Sequence, residues 1–181
     1  MKEFDIQKIL SDIDKMYLDD EYISYISDLI ENDAVKSMKN FIQHGTTTTL
    51  EHCLKVSYVS YKIAKKLNLD AKSTARAGLL HDLFLYDWHK VKEKKPVFKK
   101  HGFTHPQKAL ENACKYFHLN DIEKDIIAKH MWPLTFRKIP KYKESIVVTS
   151  VDKYYSTIET FEPLASKIKG KNFQSKKNYS E

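Results

Sequence analysis

Residues that break helices are scarce in this chain, with four glycines and five prolines in 181 residues. In a helix interior glycine costs about 1 kcal/mol and proline about 3 kcal/mol relative to alanine, so a sequence poor in both leaves long stretches free to coil. The apolar residues recur at steps of three and four, the period of a helix face rather than of a strand. Ile6, Ile9, Leu10, Ile13 and Met16, then Ile23, Ile26, Leu29 and Ile30, set this rhythm over about 4–43, with a break at Leu18-Asp19-Asp20. No β-hairpin signal and no internal repeat stands out. The expectation is an all-α fold.

Local chemistry marks where the helices begin. Thr48-Thr49-Leu50-Glu51 has the capping-box pattern, in which a Thr hydroxyl and a Glu three residues on satisfy each other's free amides, and predicts a helix to about Leu67. Asp70 can cap a second helix through Leu85. Thr104 or His105 can cap a third, with Pro106 in the first turn where no amide donor is needed. Asn120-Asp121-Ile122-Glu123 is another capping box, and that helix should end before Pro133. A last helix is expected from about Lys143 to Phe161, stopping near Pro163. The division that follows is an N-terminal helical region over 1–43, a helical domain over 44–165 and a polar, flexible tail over 166–181. The segment Lys90–Lys100 holds six lysines around Pro96 and reads as an exposed loop.

Composition narrows the partners. No apolar run approaches the roughly 20 residues that span a bilayer, and the start, Met1-Lys2-Glu3-Phe4-Asp5, lacks the apolar stretch of a secretory signal. A cytoplasmic protein without a membrane partner is expected. The formal net charge of +7 favours anionic ligands, but only Arg76 and Arg137 are arginines, which argues against a sequence-reading nucleic-acid binder. Cys53 and Cys114 lack CxxC spacing and read as two buried free thiols. Nothing in the sequence fixes the oligomeric state.

The chemistry lies in where histidine and aspartate fall on the expected helices. His52 leads Val56, Val59, Ile63 and Leu67 along one apolar stripe. Asp82 shares a face with Leu79, Gly78, Ala75 and Ala71, small residues that let another helix approach closely, and His81 can point to the same cavity. His105 leads Ala109 and Ala113; His130 follows Ile126 and Ile127; Asp152 follows Val148 and Thr149. A lone inward histidine is usually a core residue donating to a backbone carbonyl. Five helices each delivering His or Asp inward would be costly without a common partner, and one metal centre would satisfy them all. Nitrogen and carboxylate donors favour iron or manganese, with zinc, cobalt and nickel also compatible, over calcium. His101 sits four residues before His105 and either can be the ligand, the helix start and Pro106 favouring His105. His44, in QHGTTTT, reads as a loop residue within reach of a substrate, and His89 and His118 as surface residues.

These segments resemble the HD-domain superfamily of metal-dependent phosphohydrolases. EHCLKVS at 51–57, AGLLHD at 77–82, THPQKALENA at 104–113, AKHMWP at 128–133 and VDKY at 151–154 carry the likeness, which covers about 44–160. It implies an HD-like helical bundle with additional N-terminal helices. The extra His105 and His130 resemble the six-ligand branch, which includes hydrolases of dinucleoside polyphosphates and cyclic-dinucleotide phosphodiesterases. By that likeness two divalent metal ions are bound, one by His52, His81, Asp82 and Asp152. Asp82 bridges to the second, held by His105 and His130. The implied reaction is hydrolysis of a phosphoester or phosphoanhydride bond in a small phosphorylated substrate, such as a nucleotide or dinucleotide, by a metal-bridging hydroxide. Asp82 and Lys153 would be catalytic, and Lys153 and Arg137 would bind the phosphate, although both also fit plain surface charges. The lysine-rich loop would act as a funnel or lid. The chain lacks a GYP motif, and Leu83-Phe84-Leu85-Tyr86 follows Asp82 where mononuclear nucleotidases carry an acid, Asp87 being the nearest. The alternative is a non-catalytic, metal-stabilised HD fold that senses a nucleotide.

Overall fold

The computed structural model describes residues 16–90 and 101–177, with side chains as far as Phe161. The apolar stripe of 4–13, the lysine-rich 91–100 and residues 178–181 lie outside the described residues. The architecture is helical: α1 (Asp20–Ile30), α2 (Asp33–Ser37), α3 (Thr49–Lys66), α4 (Ala71–Leu80), α5 (His101–Tyr116), α6 (Asp121–Lys129) and α7 (Lys143–Lys177). Among the described residues, no helix is long and apolar enough to cross a membrane.

Both capping boxes form as the sequence requires. Thr48 accepts the Glu51 amide and Glu51 accepts the Thr48 amide at 2.9 Å, opening α3. Asn120 and Glu123 do the same for α6. Asp19 and Asp70 accept from Tyr22 and Ser73 to start α1 and α4. α3 closes with Asn68 in the left-handed region (φ 53°) and the Leu69 amide on the Ala64 carbonyl at 2.9 Å, an arrangement that satisfies carbonyls otherwise left free.

Four expectations need correction. A short antiparallel hairpin, β1 (Ile42–His44) and β2 (Thr47–Thr48), precedes α3, and the expected boundary at 43/44 falls within it. Gly45, at φ 55°, supplies the left-handed turn, and strands of three and two residues are too short for alternation to show in the sequence. Second, α4 stops at Leu80, not Leu85, because the His81 ring takes a terminal carbonyl and Leu85 turns the chain at φ 58°. Third, α5 already includes His101, so Pro106 lies inside the helix, and α7 runs past Pro163 to Lys177. Proline removes one hydrogen bond from a helix and weakens it locally without obliging it to end. Fourth, Cys53 is buried, whereas Cys114 is exposed.

α4 is the centre of the bundle, packed against α1, α3, α6 and α7. Arg76 ties it to two of them: it donates to Asp28 at 2.9 Å and to the Tyr25 carbonyl of α1, and to Glu123 of α6 at 3.0 Å. The stripe of small residues on α4 does permit close approach. A Cβ on Gly78 would stand 2.8 Å from the Cα of Ser57, so α3 crosses here at backbone contact. Ser57 secures the crossing by donating to the Ala75 carbonyl at 2.6 Å and accepting from the Tyr22 hydroxyl at 2.9 Å.

Replacing a mid-helix glycine by alanine normally stabilises a helix by about 0.5–1 kcal/mol. At Gly78 the sign should reverse: Gly78→Ala should destabilise by about 1–3 kcal/mol in urea unfolding, since the added methyl meets backbone. Unchanged or higher stability would mean that the crossing is looser than described.

Candidate metal centre

The bundle brings all six predicted ligands to one place. His52 comes from the second turn of α3, His81 and Asp82 from the end of α4, His105 from α5, His130 from the end of α6 and Asp152 from the third turn of α7. All six are buried. Asp82 lies between the two halves: its Oδ2 is 3.4 Å from His81 Nε2, and its Oδ1 is 3.2 Å from His105 Nε2 and 3.4 Å from His130 Nε2. Asp152 Oδ1 is 3.2 Å from His52 Nε2 and 3.8 Å from His81 Nε2. Ligand atoms of His52, His81 and Asp152 form one group within 4.8 Å, and those of Asp82, His105 and His130 form another.

The imidazoles are oriented alike, for a reason found in the helix ends. His81 and His130 are the C-cap residues of α4 and α6. Each directs Nδ1 to the carbonyl three residues back, Gly78 at 2.8 Å and Ile127 at 2.9 Å, groups left without helical donors. His105 Nδ1 lies 2.9 Å from the His101 carbonyl, and His52 Nδ1 lies 2.7 Å from Glu159 Oε2. Carbonyl and carboxylate oxygens can only accept, so Nδ1 carries hydrogen and, in the neutral ring, the lone pair falls on Nε2. All four Nε2 atoms face the centre. This is the usual disposition of metal-binding histidines, in which the outer nitrogen is fixed by hydrogen bonding and the inner one left to ligate.

Two observations show that these donors suit a metal. His81 Nε2 and Asp82 Oδ1 are buried without a hydrogen-bonding partner, a costly arrangement for polar atoms. Moreover, His105 Nε2 and His130 Nε2 stand 2.7 Å apart, and two lone pairs so placed repel unless a cation or proton lies against them.

The alternatives within the histidine set resolve geometrically. His101 Nδ1 accepts from the Tyr86 hydroxyl at 2.8 Å, and its ring stacks between Trp88 and His105, so His105 faces the centre and His101 stands behind it. His44 is not in an open loop: its half-buried ring meets His52 edge-on at 5.6 Å. His89 and His118 are exposed. Asp87 turns away from the centre, accepting the His89 amide at 3.1 Å and pairing with Lys90. Lys153, part-exposed, holds Asp152 Oδ2 at 2.5 Å and the His130 carbonyl at 3.3 Å. Arg137 is exposed, its guanidinium 5.4 Å over the Phe136 ring.

Three contributors escaped the sequence reading. Gln43, on β1, donates to Asp82 Oδ2 at 2.5 Å and accepts from the Thr49 hydroxyl at 3.2 Å. No sequence pattern announces it, because a hairpin places it. Glu159 holds His52 from behind, and its spacing of seven from Asp152, two helical turns on the same face, was the available signal. Cys53 Sγ lies 3.8 Å from His81 Nδ1.

Charge in the cluster is strongly coupled. Burial raises the Asp82 carboxyl, but the imidazoles of His81 and His105 outweigh it and hold it well below the usual range. Burial likewise raises Asp152, and His52 and His81 pull it well below. Burial lowers His81, yet Asp82 prevails and the ring titrates well above its ordinary value. For His130 burial wins, and it falls to about 4.

A family model described as HD domain matches residues 49–156. The chain belongs to the HD domain family. The matched span runs from the first turn of α3 to just beyond Asp152, and so contains all six converging residues. No curated protein and no solved structure gave a significant match. In the HD domain, then, the histidine and aspartate groups described here are able to hold divalent metal.

A cation entering the cluster must displace the proton that Asp82 favours on His81. Because that ring is raised above 6.5, metal affinity should increase as pH rises through and beyond that value, with net proton release. Calorimetry of Mn²⁺ binding at pH 7 in buffers of different ionisation enthalpy should register released protons. Binding with none would contradict the assigned charge state.

Proposed function

We propose that this HD domain is a two-metal phosphohydrolase acting on a small phosphorylated substrate of the nucleotide or dinucleotide class. The observation that carries this reading is the Asp82 carboxylate, buried between two groups of nitrogen donors, with one oxygen toward each. In the proposal His52, His81 and Asp152 hold one ion, His105 and His130 the other, and Asp82 is shared. Iron or manganese suits this mixed donor set best. Bound ions would supply activated water, with a pKa lowered to about 7, and charge to polarise a phosphoryl oxygen.

The remaining work falls to the chain itself. Lys153 is tethered by Asp152 yet part-exposed, so its ammonium is held at the edge of the centre, where it can offset phosphate charge. It serves as the catalytic cation of the proposal. The Tyr86 hydroxyl is a better donor than acceptor, so His101 receives it at Nδ1 and keeps its hydrogen on Nε2. Gln43 steadies Asp82 from the hairpin side and limits the ways in which the carboxylate can rotate. Beyond His130 the turn carries exposed Phe136 with Arg137 over its ring, an aromatic face and a fixed positive charge that suit a nucleotide. A cytoplasmic location agrees with nucleotide chemistry and belongs to the same proposal.

The test is turnover on a panel of nucleotides, dinucleotides and simple phosphate esters, with metal content measured on the same samples. Asp82→Asn keeps the shape but loses the charge that holds two dications together. It should abolish turnover more completely than loss of any single histidine, while urea unfolding shows a folded protein. Turnover within a few-fold of wild type, with both metals retained, would refute the mechanism.

A further inference from the structure

His52 differs from the other three imidazoles in what holds its outer nitrogen. His81, His105 and His130 donate to neutral backbone carbonyls. His52 donates to a carboxylate, Glu159 Oε2 at 2.7 Å. Glu159 is 3% exposed, a burial that is costly unless the charge is matched. Its second oxygen accepts from Lys55 Nζ at 3.0 Å. Both acids on His52 come from one helix: Asp152 faces Nε2 at 3.2 Å, and Glu159, two turns on, stands behind Nδ1. The ring is therefore clamped front and back by α7.

An anionic partner on Nδ1–H pushes electron density toward Nε2 and makes it a stronger ligand than a carbonyl partner does. It also adds negative charge at only one end of the centre. Lys55 and Lys153 partly offset the two acids from the solvent side. The stronger nitrogen remains a property of His52 alone among the four.

We propose that Glu159 is a positioning residue that makes the His52–His81–Asp152 end the tighter of the two metal sites, so that ions load there first. This rests on the two-site reading above. Glu159 touches neither substrate nor ion in this proposal; it acts through His52.

Titration of the metal-free full chain with Mn²⁺, followed calorimetrically, should show two steps. In Glu159→Gln, which keeps the volume and an acceptor but removes the charge, the tighter step should weaken about 10–100-fold and the weaker one stay within two-fold. In the His105→Ala/His130→Ala background, Glu159→Gln should weaken the remaining site by the same factor. In a His52→Ala background it should have no effect. A merely structural role predicts a lower melting temperature with both steps unchanged or both equally weakened, and either result overturns the proposal.

A measurement on the wild type guards against a variant that does not fold. Histidine nitrogen resonances followed during Zn²⁺ titration should move for His52 and His81 over the first equivalent, and for His105 and His130 over the second. Simultaneous movement, or the reverse order, would overturn the order of loading while leaving two sites intact. Saturation at one equivalent would instead sink the two-site reading, and the order of loading with it.

Discussion

The carboxylate of Asp82 is the constraint on which the rest depends. It is 2% exposed, and a lone buried carboxylate would cost many kcal/mol or take up a proton. Here it keeps its charge because His81 and His105 approach from two helices and Gln43 donates from the hairpin. Each of these contacts requires an element to be in its place: α3 against Gly78, α5 beside the end of α4, and the hairpin packed against α3 and α7. The arrangement of the fold and the charge state of the centre are thus one problem solved together. Without a cation the solution is incomplete, since His81 Nε2 and Asp82 Oδ1 have no hydrogen-bonding partner.

Helix termini do much of the positioning. His81 and His130 both close a helix and both use a carbonyl that the helix leaves free to fix the ring. One contact therefore satisfies the backbone, aims a ligand nitrogen and restrains rotation of the side chain. α7 works differently, delivering from one face Asp152, the Ser156 hydroxyl at 3.0 Å from it, and Glu159 two turns later. Lys153 adds a cation from the adjacent position, bound to Asp152 and reaching the His130 carbonyl.

What the sequence made legible was local or periodic. Thr48–Glu51 and Asn120–Glu123 announced two helix starts because a capping box involves only four residues. His52, His105 and Asp152 were found because each shares a stripe with apolar residues that must face inward. Gly78 was readable as a close approach because a small stripe has few other uses. The misses have equally physical causes. The hairpin at Ile42–Thr48 is too short for its period to register, and Gln43 reaches Asp82 only because of it. The end of α4 at Leu80 is set by a side chain, His81, whose contact with Gly78 cannot be seen as a pattern. Spacing alone does not separate His101 from His105; the structure does, with His105 Nε2 3.2 Å from Asp82 and the Tyr86 hydroxyl occupying His101. Neither Pro106 nor Pro163 is a helix boundary: Pro106 is buried within α5, where packing supports the helix, and α7 continues past Pro163.

Sharing is the centre of the proposal: one carboxylate between two nitrogen-rich groups, which would hold two ions acting on one phosphate. Electron paramagnetic resonance of the protein loaded with two equivalents of Mn²⁺ reads this directly, because ions bridged by a carboxylate are exchange-coupled and ions apart are not. The multiline spectrum of a coupled pair, with hyperfine spacing half that of isolated Mn²⁺, is expected in the wild type and should be lost in Asp82→Asn. Two full equivalents bound with only the six-line signal of isolated ions would contradict it.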